Sequence, residues 1–78
     1  MKLDDTVCRG SLIIHKGESY VVLGMSKPWA DGTGAGWKIT STPREGEWFI
    51  ASTQYVNKTD DVDTFFPGAV FEIPDYIK

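Results

Sequence analysis

Between Ser11 and Met25 the chain reads SLIIH, KGES, YVVLGM: two runs of apolar, β-branched and aromatic residues around four residues with turn chemistry. Runs of this kind read as β-strands, and Lys16-Gly17-Glu18 as a hairpin turn in which Gly17 supplies a positive φ. Gly10 and Gly24, within or beside the strands, mark a bulge or a close backbone approach. The pattern then breaks. Pro28 disfavours continuation of a central strand, and Asp31-Gly32-Thr33-Gly34-Ala35-Gly36 would lose too much entropy in any regular element. A loop is expected there. WKITST (37–42) resumes the alternation of a half-buried strand. PREG makes the next turn, with Pro43 suited to its first central position. EWFIASTQYV (47–56) is a further strand, with Trp48, Ile50 and Ser52 on one face and Phe49, Ala51 and Thr53 on the other. Beyond it NKTDDVDTFFPG turns polar and has room for one short helical turn near 59–64, capped by Thr59 with acidic residues in its first turn. Pro67-Gly68 ends that segment, AVFEI (69–73) reads as a last short strand, and Pro74 stops it before a DYIK tail.

About five short strands with glycine-rich turns, and no long helical periodicity, predict an all-β, mainly antiparallel domain. Closure or rolling of the sheet would limit its exposed edges. RGSLIIHKGESYVVLG, residues 9–24, resembles the first hairpin of SH3-like small β-barrels. The resemblance covers about a quarter of the chain and implies a small SH3-like barrel or rolled sheet. It also implies that loops between strands present aromatic side chains to a partner.

Length and charge narrow the classes. Seventy-eight residues suit a single domain over 1–78 with a thin core. Cys8 and His15 are the only cysteine and histidine, so a disulfide within the chain and an ordinary zinc site are both excluded. Packing must supply the stability, and ten aromatic residues provide area for it. A lone cysteine suits a reducing compartment, and the acidic start MKLDD is unlike a signal peptide. The expected setting is cytoplasmic, with no membrane span. Eleven acidic against eight basic residues give a net charge of −3, which disfavours nucleic acid as the partner.

Candidate chemistry is sparse. On one strand Cys8 and His15, seven apart, would face opposite sides, so a Cys–His catalytic pair needs a bulge near Gly10. The ordinary reading is a small hydrophobe and a solvated imidazole, and no enzyme is expected. DDVDTFFPG lacks the ligand frame of a calcium loop, and Asp60, Asp61 and Asp63 read as an acidic surface or a helix start. Gly32, Gly34 and Gly36 match neither the dinucleotide nor the P-loop pattern, so no cofactor is expected. Trp37 and Trp48 flank PREG and could pair across a hairpin. Phe65 and Phe66 read as loop anchors for the acidic segment, or as strand neighbours with one ring exposed. Trp29 has no periodic partner and sits beside the flexible run.

These features favour a non-enzymatic module that binds a protein partner through Trp29, Asp31 and Lys27, with Arg44 and the acidic residues Asp60, Asp61 and Asp63 as further contacts. A phage- or mobile-element-encoded inhibitor is the second reading, with Asp60, Asp61, Asp63 and Glu45 or Glu47 covering a basic groove on a host protein. A nucleic-acid-binding barrel is the third, stacking bases on Trp29, Trp37 and Tyr55 beside Lys27, Lys38 and Arg44.

Overall fold

The computed structural model describes residues 1–4, 6–26 and 36–77, with the backbone alone for strand positions 26 and 49–53. Five strands form one antiparallel sheet: β1 (Leu12–His15), β2 (Glu18–Ser26), β3 (Gly36–Arg44), β4 (Glu47–Asn57) and β5 (Thr64–Phe66). Their order across the sheet is β4-β3-β2-β1-β5, and it stays open rather than closing into a barrel. It is the rolled-sheet member of the expected pair. No helix occurs among the described residues.

Two tight turns set the register. Lys16 and Gly17 (φ 52° and 77°) join β1 to β2, and Glu45 and Gly46 (φ 52° and 80°) join β3 to β4. Positive φ at both central residues is the signature of the type I′ turn, whose twist matches that of the flanking strands. The second turn is shifted from the expected one. Pro43 lies inside β3, where the pairing with β4 slips between Ser41 and Arg44. A proline cannot donate to the ladder and is tolerated at such an irregularity.

The apolar runs of β1 and β2 show little alternation because both faces are covered. Ile13 pairs with Tyr20 and Phe65, and Val22 with Ile39. With Leu3, Val7, Trp37, Val56 and Val62 they form the main core on one face. Val21, one residue along from Val22, pairs with Leu12 and Thr40 on the opposite face, and both Val21 and Thr40 are buried. Leu23 and Ile77 are also buried outside the main cluster.

Three expected elements are replaced. Over 59–64 no helical turn forms. Asp60 N–H donates to the Asn57 carbonyl (3.0 Å) while the Asp60 carboxylate accepts the Asn57 N–H (2.9 Å). The next groups bond outward: Val62 N–H to the Met1 carbonyl (2.7 Å) and Asp63 N–H to the Ile14 carbonyl (2.9 Å). So short a helix has a costly nucleus, and the neighbouring backbones offer partners at once. Thr64–Phe66 takes the free edge of β1, so the last strand is TFF rather than AVFEI. Phe65 therefore packs against the core and Phe66 stands exposed, the strand-neighbour reading rather than the loop-anchor one. Finally, Trp37 pairs with Val56 and Arg44 with Glu47, so Trp37 and Trp48 lie at opposite ends of their hairpin. Trp48 instead meets Phe71 edge-on, with ring centroids 6.3 Å apart and planes at 78°.

Candidate functional site

The sheet end from which residues 27–35 leave is the best-defined candidate surface. Three cross-strand rows build it: Ser26, Gly36 and Asn57; Met25, Trp37 and Val56; Gly24, Lys38 and Tyr55. Gly36 belongs to the strand rather than to a loop. A Cβ there would overlap the Val56 carbonyl and lie 3.0 Å from the Asn57 Cα, so glycine allows β4 to close against β3. Trp37 follows at 3% exposure, anchoring this end in the core. Its indole N–H is buried and finds no acceptor among the described residues. Burial also removes Trp37 from any stacking platform.

Beside this anchored base two large side chains turn to solvent, Met25 in the row of Trp37 and Tyr55 in the next row, on the opposite face of the sheet. Met25 is 70% exposed and Tyr55 55% exposed. A bulge in β2 between Val22 and Gly24 sets the position of Met25 against Trp37. Lys27, Trp29, Asp31, Gly32 and Gly34 lie outside the described residues, in the connection that springs from this end.

The other candidates are distributed elsewhere. Arg44 is exposed at the far end of β3, eight residues from Gly36 and thus about 26 Å along the strand. The structure does not bring it to the 27–35 end. Asp60, Asp61 and Asp63 are all exposed. Two of their carboxylates have structural work: Asp60 accepts the Asn57 N–H, and Asp63 accepts the N–H of Gly17 at 3.0 Å, bracing the first hairpin turn. The backbone of Asp61 pairs with that of Lys2 in an isolated antiparallel β-bridge. No group of three or more acidic, cysteine or histidine side chains suited to a metal occurs among the described residues.

Cys8 lies outside β1, exposed, in a turn closed by the Ser11 N–H on the Cys8 carbonyl (3.0 Å). His15 is the last residue of β1. The same-strand premise for comparing their faces therefore does not apply.

A polar hub that the residue pattern did not single out lies just before β1. Ser11 is fully buried; its hydroxyl donates to the Gly68 carbonyl and accepts the Cys8 N–H, each at 2.9 Å. Gly10 N–H donates to the Val22 carbonyl (2.8 Å), and Gly10 has φ 96°. Arg9 donates to the carbonyls of Leu23 (2.7 Å) and Ile77 (2.5 Å). Gly10 was the only signal of this hub in the sequence. Near the N-terminus, the Thr6 hydroxyl and N–H both donate to the Asp4 carboxylate, holding its pKa below the ordinary 3.8.

Among the described residues no helix is long and apolar enough to cross a membrane. No protein-family model matches the chain, and no similar protein was found among curated proteins or solved structures.

Proposed function

We propose that this chain is a small, non-enzymatic protein-binding module that meets its partner with the sheet end carrying residues 27–35. The observation behind this reading is the exposure of Met25 and Tyr55 at that end, one on each face of the sheet beside Gly36 and the buried Trp37. Large apolar side chains held at a surface on a fixed backbone are the usual raw material of interface hot spots. Trp29, inside the same connection, adds the residue type most enriched at such sites. The resemblance of residues 9–24 to the first hairpin of SH3-like barrels supports the same reading.

A second reading is supported by the acidic surface. Backbone N–H groups hold the carboxylates of Asp60 and Asp63 in place while both residues stay exposed. Fixed negative charge suits an inhibitor, of phage or mobile-element origin, covering a basic groove on a host protein.

One experiment separates them. The tagged chain and its Trp29→Ala, Met25→Ser and Tyr55→Ser variants are used to capture partners from lysate of the source cells, at low and high salt. Loss of one specific partner in these variants, with melting temperature unchanged, supports the module. Capture that falls only in step with stability refutes it. Capture abolished by salt and by Asp61→Asn, but not by Trp29→Ala, favours the inhibitor.

A further inference from the structure

Every described glycine but one meets a demand of its own backbone. Gly10, Gly17, Gly46 and Gly68 hold positive φ, and Gly36 lies against the Val56 carbonyl. Gly24 meets neither demand. Its φ is not positive, and among the described residues no atom lies within 4 Å of a Cβ built there. The bulge between Val22 and Gly24 does not require it either, since bulges need glycine where φ is positive. Glycine inside a strand loses more entropy on ordering than other residues and packs nothing, so it weakens β2. What it leaves open is the peptide surface itself, which another group can approach closely.

Gly24 pairs with Lys38, which stands between Trp37 and Ile39 in β3. Those two side chains are in the core, so Lys38 and the open side of Gly24 take the opposite face, where the exposed Tyr55 continues the row. We propose that Gly24 is the floor of a subsite for an aromatic side chain of the protein partner, laid flat on the bare peptide of β2. The proposal rests on the reading that this end of the sheet meets a protein. Two considerations select a ring. A bare glycine in a sheet is made good by an aromatic side chain that lies over it, and its own cross-strand neighbour, Lys38, has no ring. Lys38 also stands one strand spacing away, about 4.8 Å, and an ammonium within about 6 Å of a ring is drawn to its face. An aliphatic side chain gains nothing from that charge.

The test titrates the ¹⁵N-labelled full-length chain with N-acetyltryptophanamide, followed by NMR. The Gly24 and Lys38 amides should shift saturably, and ring current should move the Gly24 Hα upfield. In Gly24→Val the side chain fills the floor, and affinity for the probe should fall at least about tenfold. Gly24→Ala should raise the melting temperature by about 2–8 °C; a fall of that size, or a Gly24→Val chain that does not fold, would overturn the premise that the fold leaves this position free. No saturable shift, an unchanged affinity in Gly24→Val, or an equal response to N-acetylleucinamide or N-acetylglutamic acid amide would overturn the aromatic subsite. A Gly24 Hα already upfield in the free protein and released by Trp29→Ala would make the chain's own indole the occupant, and would overturn a partner's ring. The probe needs no partner, so the two readings fail separately. A chain that captures a partner yet ignores the probe loses this subsite alone, whereas a chain that captures none loses the binding module.

Discussion

Replacing Gly10 with alanine should be among the most damaging small substitutions in this chain. Gly10 sits at φ 96°, a region where an L side chain is strained by about 1–2 kcal/mol. A Cβ there would also lie 2.5 Å from the Phe71 carbonyl oxygen, which is backbone and cannot swing aside. Moving it disturbs the two N–H groups that meet at the Gly10 carbonyl, each bond contributing about 1 kcal/mol. Alanine restricts the unfolded chain and returns about 0.4–1 kcal/mol. The balance is a loss of about 2–3 kcal/mol, a large share of the roughly 4–12 kcal/mol that a 78-residue domain holds. The melting temperature should fall by about 10–20 °C. Two other glycines separate the causes. At Gly17 the φ is positive but nothing lies within 4 Å, so alanine there tests strain alone, at about 1 kcal/mol. At Gly36 the φ is ordinary for an L residue and the overlap with Val56 acts alone, at about 1–3 kcal/mol. Urea unfolding followed by circular dichroism reads all three. A Gly10→Ala loss within about 0.5 kcal/mol of the Gly17→Ala loss would refute the argument from close approach.

Two further outcomes follow from the same contacts. Ser11→Ala leaves the Cys8 N–H and the Gly68 carbonyl without their buried partner and should cost about 1–3 kcal/mol in urea unfolding; an unchanged midpoint would contradict the role given to the hydroxyl. Asp4, with its folded pKa below 3.8, adds stability that is present above that value and lost as pH falls through the lowered one. Carboxyl NMR titration should show the depressed value in the wild type and its return towards 3.8 in Thr6→Ala; identical titrations would refute it.

The strand runs, the first turn at Lys16-Gly17 and the all-β class were legible because they depend on neighbours in sequence. Apolar runs punctuated by glycine specify strands, and Gly17 supplies a conformation that few other residues adopt. Of the candidate surface, Trp29 lies outside the described residues, and Met25 and Tyr55 carry no mark in the residue pattern, because their exposure depends on which strands end beside them.

Tertiary structure decided matters in which distant segments compete for the same backbone. Which of TFF and AVFEI became the last strand turned on which one reached the short edge of β1. The acidic segment gave up a helical turn because Met1 and Ile14 offered carbonyls to Val62 and Asp63. Pro43 moved from the turn into β3 because the register slips there. The hub at Arg9, Gly10 and Ser11 joins residues near one end of the chain to Gly68, Phe71 and Ile77 near the other. Hydrogen bonds across such separations leave no periodic trace. Local patterning determined what each stretch of this chain could become, and competition for partners in three dimensions determined which of those forms it took.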